Sequence, residues 1–255
     1  MAASWSARMK EQLVISGALG YLGLWIGLPV FQLATAGLIY EGRNPALVPY
    51  AVVGTATSTL VFTMLYNVGQ TLDTERLRGT LIGLFLAPAP RIAWLTGFAL
   101  AGAFETSLAA ASTVGFGMLV FGVRFDVDWP ALLVSLGLLL LGLWGLGFVF
   151  SAIGLWSRRS NDVSNLVSPV MLLLGSVYYP ITALPLWLRL PARALPLSYG
   201  VQALVEASLH HRPLSTLTAK IIPLAGFAVL LPLAGIAAFR WVEHGARRRG
   251  DLDLY

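Results

Sequence analysis

Long apolar runs almost free of charge, separated by short basic segments, constrain this chain more than any single motif does. Between charges they leave candidate spans at 13–39, 46–67, 92–123, 129–156, 163–179 and 221–239. As helices, about 20 such residues cross a hydrocarbon core of about 30 Å. Only helices or closed barrels satisfy the backbone in lipid, and the runs are continuous rather than alternating, which selects helices. With 57% hydrophobic and 11% charged residues among 255, the chain has more apolar surface than one soluble domain can hide. The expected fold is an all-α integral membrane domain of six transmembrane helices, a single unit over 1–255.

The fifth span carries Pro169, with Pro180 and Pro185 after it; the sixth carries Pro223 and Pro232. Each proline removes a backbone donor and invites a kink. Positive residues in short loops favour the cytosolic side. With the N-terminus inside, Arg8, Lys10, Arg76, Arg78, Arg91, Arg158, Arg159, Arg240 and Arg247 to Arg249 are cytosolic. The opposite set is smaller: Arg43, Arg124, Arg189, Arg193, Arg212 and Lys220. Both termini are therefore expected in the cytosol, with the chain multi-pass in the cytoplasmic membrane. Ala34-Thr35-Ala36 resembles a leader-cleavage site, but the preceding run is too long for a leader core, so no cleavage is expected. The lack of cysteine excludes disulfides and thiolate metal sites.

Several chemistries are excluded by inventory. The two lysines, Lys10 and Lys220, sit in no phosphate-loop pattern, so this chain is not expected to hydrolyse ATP. His210, His211 and His244 lie outside the spans without metal-site spacing, and no metal is expected. No histidine within a span stands ready to activate a buried serine. Asp126 and Asp128 read as a solvated turn rather than an acid pair. No catalytic residue is assigned, and no nucleic-acid partner is expected.

Glu105 is the ionisable residue well inside a span, where a charge costs about 2.5–3.5 kcal/mol at the bilayer centre. It either lines a translocation route or serves as a hydrogen-bonded packing carboxyl. Gly23-x-x-x-Gly27 and Gly147-x-x-x-Ser151 permit close helix approach, within the chain or across a dimer.

Between the second and third spans, segment 73–91 opens with Asp73, Glu75, Arg76 and Arg78. It continues with Leu77, Leu81, Leu84 and Phe85 at helical spacing, and Pro88 and Pro90 stop it. A short amphipathic helix on the membrane or in a partner's groove is expected. The run Glu75-Arg76-Leu77-Arg78-Gly79-Thr80-Leu81, then Leu84, Pro88 and Arg91, resembles the cytosolic coupling segment of type-2 ABC exporter permeases. A second set of residues resembles that family's outer hairpin between spans five and six, here 180–212: Tyr179-Pro180, Leu184-Pro185, Trp187, Leu195-Pro196-Leu197-Ser198-Tyr199 and Gln202-Ala203-Leu204. The chain departs from the family at Ile82, where relatives often carry an acid.

The resemblance implies a permease subunit without enzymatic activity. Leu77, Leu81, Leu84 and Phe85 would fill a groove on a separate cytosolic ABC ATPase, with Glu75, Arg76 and Arg78 at its rim; ATP and Mg would belong to that partner and no cofactor to this chain. Two permease chains, identical or similar, would enclose the route among membrane lipids. Tyr178, Tyr179 and Pro180 would bound an outer gate, with Pro185, Trp187, Arg189, Arg193, Pro196 and Tyr199 in the hairpin. The cargo implied is amphiphilic: a drug, a lipid or a lipid-linked glycan. Two rivals stay open, an ion-coupled carrier using Glu105 and a membrane-embedded lipid-modifying enzyme.

Overall fold

The computed structural model describes residues 23–63, 91–157 and 160–249, with Glu75, Gly79 and Gly83 as isolated described positions. After a π-helical turn Gly23–Gly27 come α1 (Leu28–Arg43), a 3₁₀ turn Pro45–Leu47, α2 (Val48–Thr63), α3 (Arg91–Val120), α4 (Trp129–Ser157) and α5 (Ser160–Leu174). A 3₁₀ turn Ile181–Ala183, α6 (Leu186–Arg193), α7 (Pro196–Leu209), a 3₁₀ turn Leu214–Thr216 and α8 (Thr218–Arg249) complete the order, and no strand occurs among the described residues. Among the described residues, three helices are long and apolar enough to cross a membrane, at Pro45–Phe62, Trp129–Ile153 and Thr218–Val242; Thr106–Val120 and Val163–Leu174 are shorter apolar stretches.

Several ends differ from the spans read between charges. α1 runs on to Arg43, which makes Tyr40 and Arg43 helical. α3 stops at Val120, and Gly122, at φ 63°, takes the left-handed conformation that turns the chain into an irregular link of 121–128. α5 ends at Leu174, and 175–179 form a turn instead of its last helical residues.

The most extensive packing joins α4 to α8, side by side and parallel. A Cβ on Gly145 would stand 2.3 Å from Pro232 N, and one on Gly235 would stand 2.4 Å from the Gly145 carbonyl oxygen. Bare backbone on both helices thus lets the axes close to van der Waals contact, the way helices associate without a hydrophobic drive. Phe148 fills the seam beyond, edge-on to Trp144 at 4.8 Å and to Phe239 at 6.0 Å between ring centroids.

α7 runs antiparallel along α4: Gly200 abuts Leu139, and Ala207 O accepts from Asp128 N at 2.9 Å. Pro196, its first residue, lies beside Gly142, about 20 Å along α4 from Trp129 at 1.5 Å per residue. α7 is almost wholly buried, walled by α2, α4 and α8. At this hairpin end the link after α3 is pinned to α7: His211 N donates to Asp126 O at 3.1 Å, and the His211 ring meets the Asp126 carboxylate at 3.0 Å. Asp128 caps α4 by accepting from Ala131 N at 2.9 Å, and Lys220 pairs with Glu206. The two aspartates read as one solvated turn therefore hold separate structural contacts.

Candidate functional site

α5 is too short to cross a hydrocarbon core, since 15 residues rise only about 22 Å. What completes it is the turn Gly175–Pro180, closed by Val177 N donating to Leu172 O (3.4 Å) and Ser176 N to Leu173 O (3.3 Å). This is a Schellman arrangement with its left-handed residue at Ser176, φ 55°. Glycine usually fills that position, but here the glycine stands one residue earlier. A Cβ on Gly175 would meet Leu197 Cδ2 at 2.4 Å, so packing against α7 demands the glycine there and Ser176 takes the strained conformation.

The turn is held by the first two helices. Tyr50 OH donates to Ser176 O at 2.7 Å, and Tyr40 OH donates to Tyr178 O at 3.0 Å. α2 approaches so closely that a Cβ on Gly54 would lie 1.7 Å from Val177 O. Tyr179 OH returns to Leu173 O at 2.6 Å and ties the turn to its own helix, while the Ser176 hydroxyl is buried without a hydrogen-bond partner. Tyr178 and Tyr179, neighbours in sequence, thus do different things: one faces α1, the other braces α5.

Beside the clamp, a groove of about 750 Å³ runs along α1. Gln32, Thr35, Tyr40 and Arg43 recur on one helical stripe of it, and Asn44 and Tyr178 line its end. Phe31, 70% exposed, Ala36 and Ile39 line the same groove, so its wall is mainly apolar with the polar side chains set among them. Tyr178 was expected at the outer gate and Arg43 among the outer cations; Gln32, Thr35, Tyr40 and Asn44 did not stand out in the sequence.

The hairpin continues from this turn. Pro185 leads into α6, on which Leu186, Trp187 and Leu190 are exposed on one edge. Arg189 points inward to its own turn, Nε donating to Leu184 O (2.9 Å) and Nη2 to Thr182 O (2.5 Å), while Arg193 is exposed. The two arginines, four apart, do not share one role. Ser198 Oγ donates to Ala192 O (2.6 Å) and lies 3.2 Å from Leu174 O, joining hairpin to α5. Pro196 is buried, and Tyr199 packs near Phe227, 6.2 Å between ring centroids.

Glu105 belongs to α3, but its side chain lies outside the described residues, as does that of Arg91, the first residue of that helix. Arg76, Leu77, Arg78, Thr80, Leu81, Leu84, Phe85 and Pro88 also lie outside them. Of the expected coupling segment, Glu75 and Gly83 are helical, and Gly79 between them has φ 70°, a conformation no continuous α-helix contains.

Compared with known proteins, residues 9–209 match a family model described as ABC-2 type transporter. No curated protein matches the chain.

Proposed function

Because the chain belongs to the ABC-2 type transporter family, we infer that it is the permease of an ATP-driven exporter that moves an amphiphilic cargo through a route shared by two permease chains. The coarser part follows from membership: such a chain is the transport membrane subunit of an ABC transporter, not its catalytic chain, and works with an ABC ATPase. The proposal adds direction, cargo and coupling. Segment 73–91 docks on the ATPase, its apolar residues in a groove and its charges at the rim, so that ATP-driven closure moves the spans. The termini face the cytosol, the spans number six, and 180–212 forms a hairpin that dips back into the bilayer from outside. The position of Pro196 about 20 Å along α4 supports that last reading.

The observation that carries the route is the groove along α1, in which Gln32 and Arg43 stand among Phe31, Ala36 and Ile39, while Thr35 donates to Phe31 O and Tyr40 to Tyr178 O. Polar groups facing hydrocarbon are costly, so such a groove belongs against a second chain or water. The clamped turn at its end is then the outer gate, able to open when α1 and α2 move relative to α5. An amphiphile suits a route whose mainly apolar wall carries polar side chains. The test is ATP-driven movement of a fluorescent amphiphile by the chain purified with its ATPase and reconstituted in vesicles. Gln32→Leu and Thr35→Val should slow movement about tenfold or more while ATPase association persists, the loss expected when two route hydrogen bonds go. Unchanged movement in the double variant would remove α1 from the route.

A further inference from the structure

A second cleft, of about 520 Å³, opens between α2, α3, α4 and α7. Ala56, Ala110 and Ala111 leave its space, and Leu60, Leu136 and Leu204 wall it. From Trp129 at the hairpin end to Leu136 it follows α4 for about 10 Å. Ala111, Met118 and Trp129 are exposed, so the cleft opens sideways, from the interior of the bundle toward surrounding lipid.

Its polar features are few and lie in order. Thr57 Oγ1 is satisfied by Val53 O at 2.8 Å. Ser208 is different: it lines the cleft beside the mouth, is 4% exposed, and its Oγ has no hydrogen-bond partner. A buried hydroxyl without a partner costs free energy that an occupant with an acceptor would recover. Farther out, Arg124 is exposed one residue before Phe125, which lines the mouth, and it has no ion-pair partner among the described residues. Trp129 beside it is the residue type that settles at the headgroup level.

From apolar depth to single hydroxyl to cation, this order fits one molecule class. We propose that the cleft holds an acyl chain of a membrane glycerophospholipid from the leaflet at the hairpin end, its ester carbonyl accepting from Ser208 and its phosphate meeting Arg124. A cargo route would need more polar side chains than this cleft offers, where Gln32, Arg43 and Asn44 line the α1 groove. The lipid here is a resident of one chain, wedged between the α2–α3 pair and the α4–α7 pair, and its binding needs neither ATP nor the ATPase.

The experiment uses the full chain in phosphatidylcholine nanodiscs doped with a phosphatidylglycerol carrying a photoreactive diazirine along one acyl chain. Labelling is mapped by peptide mass spectrometry and thermal unfolding is followed in parallel. Labels should concentrate in residues 106–136. Ala111→Trp, which fills the cleft from its exposed side, should reduce them about tenfold, the equivalent of losing burial of about two methylenes. Ser208→Ala should reduce them about fivefold, the worth of one hydrogen bond. Leu230→Trp, on the exposed face of α8, should change nothing. Should Ala111→Trp fail to fold, Ser208→Ala decides alone. Labels spread evenly over the exposed faces of α1 and α8, labels indifferent to Ser208→Ala, or cross-linking of this face to a second copy would each overturn the proposal.

Discussion

Ser176 holds a backbone conformation that costs an ordinary residue about 1–2 kcal/mol, and Tyr50, Tyr40 and Gly54 are what keep it there. Strain concentrated between two helices and a turn is a place where a small relative movement releases a large local change. Tyr50→Phe removes the donor to Ser176 O and should lower stability by about 1 kcal/mol, read as a fall in the unfolding midpoint of the purified chain. Gly54→Ala forces the Val177 carbonyl aside, and a loss of about 1–3 kcal/mol is expected, with faster proteolysis at the turn. Gly145→Ala should cost a similar amount by prising α4 from α8, and Ala should be tolerated at Gly137, where nothing lies within 4 Å. Little of this was legible beforehand. That Gly175 rather than Ser176 is the glycine depends on Leu197, twenty-two residues away in sequence, and no local pattern contains that contact.

At the scale of elements, helices α2, α4 and α8 were readable because long apolar runs with few charges announce a span. α5 was readable as a helix but not in its extent. The apolar run continues through Val177 and the tyrosines, so hydropathy carries on where the backbone has already turned. The hairpin was expected from the family resemblance of 180–212, yet the inward fold of Arg189 onto Leu184 O and Thr182 O could not be read there, since a side chain's choice of carbonyl is set by the turn it caps. Arg189→Ala should therefore loosen 180–186 and raise its hydrogen exchange, whereas Arg193→Ala should leave exchange there unchanged. In the expected coupling segment, Gly79 is left-handed at φ 70°, and the residues on either side of it lie outside the described residues. Gly79→Val puts a β-branched residue in the left-handed region, and the proposal expects ATPase association to weaken about tenfold, measured by retention on an ATPase-loaded column.

For the whole molecule, the arrangement is a pair of parallel helices, α4 and α8, bound through glycine and proline, with α7 driven in beside them and α1 to α3 arranged across the turn after α5. Tyr40 and Tyr50 bring the end of α1 and the start of α2 to the turn after α5, whose last residue packs against Ser198 at the buried start of α7, while the link after α3 and the starts of α4 and α8 meet the other end of α7. The end of α2, the start of α3 and the end of α8 therefore lie at the other side. On the proposal, work delivered by an ATPase at segment 73–91 would reach the clamp through α2, which carries Tyr50 and Gly54 near its start. The account therefore turns on whether this chain receives work from a separate ATPase at that segment. The most direct measurement is ATP-driven movement of a fluorescent amphiphile by the purified complex in vesicles, scored beside retained ATPase, for the unaltered chain and for Leu81→Asp and Arg78→Glu. The account predicts that both variants enter the membrane normally, lose the ATPase and lose transport together; full ATPase retention in the variants, or equal transport by this chain alone, would contradict it.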